Sequence, residues 1–202
     1  MIPAIVLAAG KSTRMGRPKP LLPLASGDSF LAHIVKTLRA ADVEDVVVVL
    51  GHEAALVERA FEHSPIAARF VTNAGYEAGQ LSSLITALRV VDRPGVVAVL
   101  MTPVDVPLFS AATVRALVQR YRRSPAPVVR PVAQGRHGHP VLIDRRLFAG
   151  LIAADPGQGP RAVIRAHAAS DADVEVDDPG AFLDIDTPEE YQRLLSPPPK
   201  SR

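Results

Sequence analysis

The sequence predicts an α/β fold, a mostly parallel central sheet covered by helices on both faces, and three observations carry that prediction. Continuous apolar runs rich in β-branched residues recur at 4–9, 46–50 and 96–101, with the length and lack of polar alternation expected of strands buried on both faces. Between them, apolar residues repeat at helical spacing. The stretches that follow the runs are polar and rich in glycine, so the chemistry should gather at the carboxyl ends of the strands, where open α/β sheets bind ligands.

The first strand, residues 4–9, stops at Gly10. Asp28 or Ser29 is a suitable N-cap for a first helix, in which Phe30, Leu31, Ile34, Val35 and Leu38 share a face through to about Ala41. The second strand, 46–50, ends at Gly51-His52, and Leu56, Val57, Ala60 and Phe61 mark the second helix. A short third strand is expected over 67–71. A loop with two glycines, 73–80, leads to a third helix with Leu81, Leu84, Ile85 and Leu88 on one face and Ser82 and Ser83 at its start. The fourth strand, 96–101, is followed by Thr102-Pro103-Val104-Asp105-Val106-Pro107 and a helix over about 110–122, which completes βαβαβαβα.

Beyond Pro125 the pattern loosens. Short strands at 128–130 and 140–143 flank the turn-rich 133–139, which points to a mixed, partly antiparallel region. A loop over 153–160, a helix over 161–168 and a strand over 174–176 follow. In Thr187-Pro188-Glu189-Glu190, Thr187 is a good N-cap, Pro188 suits the first helical position and Glu190 completes a capping box, so a last helix should run to about Leu195. One domain over 1–195 and a disordered tail over 196–202, with three prolines, are expected.

With 202 residues and 48% hydrophobic content, the chain can bury one substantial core. A net charge of +2 and 4% aromatic residues argue against a nucleic-acid partner. The absence of cysteine excludes disulfides and thiolate metal sites and fits a reducing compartment. No apolar run reaches membrane-spanning length and the start lacks a basic signal-peptide region, so a cytoplasmic protein with no membrane association is expected.

Four cations, Lys11, Arg14, Arg17 and Lys19, lie within nine residues after the first strand, on a loop closed by Pro18 and Pro20. Such a loop can offer backbone N–H groups and fixed charge to a polyphosphate; the competing account is a solvated basic loop. It is not a P-loop, because the glycine required five positions before Gly10 is Ile5. Nor is it a dinucleotide fingerprint, since Lys11 and Ser12 follow Gly10. Leu7-Ala8-Ala9-Gly10, Arg14-Met15-Gly16 and Pro18-Lys19 instead resemble the signature of the MobA-like NTP transferases, and of their molybdenum cofactor cytidylyltransferases in particular.

That resemblance implies a Rossmann-like three-layer fold of the nucleotide-diphospho-sugar transferase type. It also implies a Mg²⁺-dependent transfer of NMP from an NTP, with CTP favoured, to a phosphorylated acceptor of the molybdopterin type. Ala9, where guanylyltransferases carry a second glycine, is the residue behind CTP. A sugar-phosphate or lactate-phosphate nucleotidyltransferase and a non-catalytic nucleotide-binding module are the alternatives. A molybdoenzyme or its chaperone is the implied protein partner; the oligomeric state is left open.

By the same resemblance, Arg14 and Lys19 meet the triphosphate, and Leu7, Ala8, Ala9, Gly10, Gly79, Gln80, Ser82 and Ser83 contact the nucleotide; capping is the competing role of the serines. His139, in Gly135 to Pro140, would face the acceptor. Asp105, in Asp105-Val106-Pro107, would hold the metal, with a turn as the alternative. Asp184 and Asp186 alternate across Ile185, so in extended backbone both point to one face. The competing account gives Asp186 a local capping or turn role; the resemblance points to Asp184 as the second metal ligand, and the choice between Asp184 and Asp186 is left open.

Overall fold

The computed structural model describes residues 1–196 except 64, 156 and 158. Four strands, β1 (Ala4–Ala8), β2 (Val46–Leu50), β3 (Arg69–Thr72) and β4 (Ala98–Pro103), pair in parallel in the order β3-β2-β1-β4. The sheet is completed by β8 (Val141–Asp144), antiparallel to β4, and by β5 (Val128–Val129) at the edge. The predicted order of strands and helices holds through α1 (Phe30–Ala40), α2 (Ala54–Glu62), α3 (Gln80–Val91) and α4 (Ala111–Arg123).

Successive strand residues fall into two separate cores, which is why the strand runs carry no polar alternation. Val6, Val48 and Leu100 pack on one face with α1, α2 and α4, whereas Ile5, Val49 and Met101 pack on the other with α3. Two later helices, α5 (Phe148–Ala153) and α6 (Pro160–His167), join the second core through Leu151 and Ile164. The last, α7 (Pro188–Leu195), joins the first through Tyr191. Burying a Leu or Ile side chain contributes about 1.5–3 kcal/mol, so a helix fixed by several of them holds its strand ends firmly.

Several boundaries depart from expectation for identifiable reasons. The fourth strand begins at Ala98, not Val96: Val96 N–H closes a turn onto the Arg93 carbonyl, and Val97 is exposed. It continues to Pro103 because β1 stays in register beside it as far as Leu7. The third strand is likewise displaced to Arg69–Thr72 by its pairing with β2. The third helix starts at Gln80, with Gly79 as N-cap and no side-chain cap, so neither Ser82 nor Ser83 caps it.

The turn-rich stretch after β5 forms a hairpin of β6 (Pro131–Ala133) and β7 (Arg136–His137), turning on Gln134 and Gly135, both at positive φ. It adds β9 (Val174–Glu175) to make a small second sheet. At α7 the predicted capping box is present, with Thr187 Oγ1 accepting from Glu190 N–H and Glu190 accepting from Thr187 N–H. The tail beyond Ser196 lies outside the described residues.

Candidate active site

The strand order places the site. β1 and β4 are neighbours, but the chain leaves β1 toward β2, so the loops after the two strands diverge and open a crevice between them. This cleft has a volume of about 330 Å³. Of the sequence-predicted residues, Leu7, Ala8, Ala9, Gly10, Arg14, Lys19, Gly79, Gln80, Ser83 and Asp105 line it. A second cavity, about 510 Å³, adjoins it and contains His139 and Asp184. Gln80, Pro103, Asp105 and Asp186 line both spaces, so they form the wall between them.

The basic loop is held by Ser12, whose carbonyl accepts from Met15 N–H (2.9 Å) and whose hydroxyl accepts from Lys19 N–H (3.3 Å). Lys19 is thereby drawn inward to 8% exposure. Its Nζ lies 2.5 Å from Asp186 Oδ1 and 3.5 Å from Asp105 Oδ2, while Arg14 donates to Asp186 Oδ2 at 2.9 Å. Of the two readings open for Asp186, the structure shows a part of each: its backbone N–H joins the helix cap on Glu190 (2.8 Å), and its carboxylate enters the cleft and binds both cations. Asp184, exposed, lines only the second cavity.

Ser82 does not line the cleft. Its hydroxyl lies 2.7 Å from the Gly79 carbonyl and accepts from Asn73 Nδ2 at 2.8 Å. Asn73, buried, also donates to Ser83 (3.0 Å) and accepts from Gly75 N–H (3.0 Å), so one amide fixes the loop that presents Gly79 and Gln80. Tyr76 lines the cleft and packs where a Cβ on Gly51 would meet it at 2.7 Å. Sequence reasoning missed Asn73 and Tyr76, which carry no motif signal; Asp186 it singled out through its same-face alternation with Asp184, without choosing between the two.

The carboxylates do not share one electrostatic state. Hydrogen bonding to Lys19 holds Asp186 below the usual carboxylate range, assisted by Arg14 and opposed by burial. Burial raises Asp105, with Lys19 opposing and Asp186 and Asp184 adding to the rise. Asp184, exposed as a residue, is raised by partial desolvation of its carboxylate and by Asp186. Positive charge at the wall thus offsets part of the rise that burial imposes on Asp105. Among the described residues no group of three or more His, Asp or Glu is arranged to hold a metal alone.

His139 presents a separate electrostatic feature. Its Nδ1 is buried without a hydrogen-bond partner, and burial lowers the imidazole from 6.5 to about 4 despite the attraction of Asp105. The unfolded chain takes up this proton below pH 6.5 and the folded protein resists it, so stability present above pH 6.5 is lost progressively as pH falls toward 4. Urea midpoints of the native protein and His139→Gln should therefore diverge across that window, with the variant showing the shallower decline. Parallel curves would contradict this account.

Known proteins converge on the same description. The profile of the MobA-like NTP transferase domain matches residues 4–172. A probable molybdenum cofactor guanylyltransferase of Rhodopirellula baltica is 36% identical over 125 residues, which are 62% of this chain and 58% of that protein. A bifunctional protein GlmU of Cupriavidus taiwanensis is 40% identical over 116 residues, 56% of this chain and 24% of that protein. The chain thus spans little more than half the length of the first relative and about a quarter of the second.

Among solved structures, Rv0371c of Mycobacterium tuberculosis superposes with a TM-score of 0.79 at 26% identity, over 96% of this chain and 98% of that one. The same protein has been solved in complex with manganese. A nucleotidyl transferase from Methanothermobacter thermautotroptrophicus superposes with a TM-score of 0.75 at 27% identity, over 96% of each chain. With the profile spanning both walls of the cleft and most of the sheet, the chain belongs to the MobA-like NTP transferase domain family.

Proposed function

We propose that this chain transfers a nucleotidyl group from an NTP to a phosphate-bearing acceptor and releases pyrophosphate. The observation that carries this reading is the shared wall. A cleft with Arg14 and Lys19 on one side and a cavity with His139 on the other meet at Asp105 and Asp186, which is the arrangement an in-line transfer between two bound substrates needs.

In this reading Arg14 and Lys19 leave Asp186 for the triphosphate, neutralise it and stabilise the pyrophosphate as it departs. An oxygen of the acceptor phosphate attacks the α-phosphorus, and the bond from that phosphorus to the bridging oxygen of the leaving pyrophosphate breaks. The attacking oxygen is already anionic, so positioning and charge stabilisation replace a general base. Leu7 to Gly10 supply backbone for the nucleotide, Gln80 and Ser83 the opposite wall, and His139 faces the acceptor.

The donor set fits a divalent metal, with Mg²⁺ favoured. Asp105 and Asp186 already flank one cationic group, Lys19 Nζ, and Mg²⁺ commonly takes one or two carboxylates with substrate phosphates. The metal would supply charge neutralisation at the transferring phosphoryl group. Its manganese complex makes Rv0371c a further support for a metal here. Asp186 is the better second ligand than Asp184, because it lines the cleft beside Asp105.

Ala9 supports CTP as the donor and a molybdopterin-type acceptor, whereas the printed name of the Rhodopirellula relative supports GTP. Calorimetric titration with CTP, GTP, ATP and UTP, each with and without Mg²⁺, tests the reading. One NTP should bind best, and more tightly with metal. Arg14→Ala should weaken that binding by about tenfold, the scale of one lost charge-assisted contact. Absence of binding by all four would refute the function.

A further inference from the structure

The second cavity carries four guanidinium groups, and they are not equivalent. Arg130 is committed, donating to both oxygens of Asp173 at 2.9 Å, and Arg136 reaches the Phe182 carbonyl at 3.3 Å. Arg161 and Arg165 line the same cavity from α6, and among the described residues neither makes an ion pair or a side-chain hydrogen bond. Four residues apart on one helix, they share a face and point two like charges at one space.

The helix accounts for one member of this pair only: Arg165 stands in the last turn, where the dipole favours a cation. Like charges at this spacing destabilise an isolated helix by a few tenths of a kcal/mol, roughly. Arg161 also stands in the first turn, where the helix dipole disfavours a cation, and that turn has no acidic residue to offset it. Both arginines are absent from the nucleotide cleft, so the triphosphate does not explain them. Arg161 lies at the inner end, where its charge acts on Asp184 and His139; Arg165 is one turn further along α6.

We infer that the acceptor carries a second anionic group, remote from the phosphate that attacks, and that Arg161 and Arg165 bind it. The inference rests on the proposed function, in which the reacting phosphate stands at the wall of Asp105 and Asp186. A cavity of about 510 Å³ leaves room for a compound that runs from that wall to α6. A carboxylate or a second phosphate fits the paired forks, which bind planar or multidentate oxyanions better than a neutral hydroxyl. The pair is then a specificity device that selects bis-anionic acceptors over simple phosphate monoesters.

Two small compounds separate the alternatives. 3-Phosphoglycerate has a phosphate and a carboxylate; glycerol 3-phosphate has the phosphate and a hydroxymethyl group instead. Titrated calorimetrically into the full chain at constant ionic strength without nucleotide, the first should bind at least tenfold more tightly. Arg161→Gln and Arg165→Gln should each remove most of that preference while leaving NTP affinity unchanged. Equal affinity for the two compounds, no detectable binding of either, or a preference that survives both substitutions overturns the inference. So does an equal weakening of both compounds, which would reflect general attraction only. Failure of the proposed function is read separately, as absent NTP binding.

Discussion

Asp105→Asn is expected to lower pyrophosphate release by roughly 10³-fold while the protein stays folded and still binds nucleotide without metal. The size follows from where Asp105 stands. Its carboxylate is on the wall between the two cavities, within 3.5 Å of Lys19 Nζ, so in the proposed reaction neutralising it would remove one of the two charges offered to a cation there. The substitution preserves shape, and the contact that stabilises the fold is made by the backbone, where the Asp105 carbonyl accepts from Ile185 N–H at 2.8 Å. Single-turnover measurement of pyrophosphate, with circular dichroism as the control, gives the answer. Turnover within tenfold of the native protein would remove Asp105 from the site.

The largest effect on stability is expected from Gly180→Ala. A Cβ at Gly180 would lie 2.0 Å from the Leu108 carbonyl oxygen and 2.5 Å from its carbon, both backbone atoms that have no rotamer to escape into. Relief demands that the backbone of 178–182 move away, and that segment is tied at its start by Asp178 to Ser110 N–H (2.7 Å) and to Thr113 Oγ1 (2.5 Å). A loss of about 3 kcal/mol, or about 6–12 °C in melting temperature, is expected. Gly150→Ala is the control: nothing lies within 4 Å and the residue is in α5, so a small gain is expected. If both variants melt alike, the close approach at Gly180 is not structurally important. Because Asp184 and Asp186 follow, Gly180→Ala should also lose activity at temperatures where it remains folded.

What the sequence discloses and what it conceals divide along the range of the interactions. The buried strands, the alternation with helices and the α7 capping box are local patterns, and residues such as Val46 to Leu50 and Thr187 to Glu190 specify them without help from the rest of the chain. Arg14, Lys19 and Asp105 were legible because each falls on a motif at a strand end. The commitment of Asp186 to Lys19 spans 167 positions, and no spacing rule reports a contact of that kind. Asn73 reads as an ordinary turn residue, since its value lies in two serines that reach it only after α3 has docked. The short α5 escaped notice because six residues give too little periodicity to distinguish a helix from a buried strand.

The helix cap at α7 has a consequence for how the molecule fails. Glu190 accepts from the N–H groups of both Asp186 and Thr187, at 2.8 and 2.9 Å, so one carboxylate closes the start of the last helix and anchors the backbone of a cleft residue. Fraying of that helix frees the residue that restrains Arg14 and Lys19, while the six-stranded sheet can stay intact. The C-terminal helix is therefore a fuse for the site: a cut or a local opening there would release the backbone of Asp186 from its anchor and disarm the cleft without any change in the strand pairing.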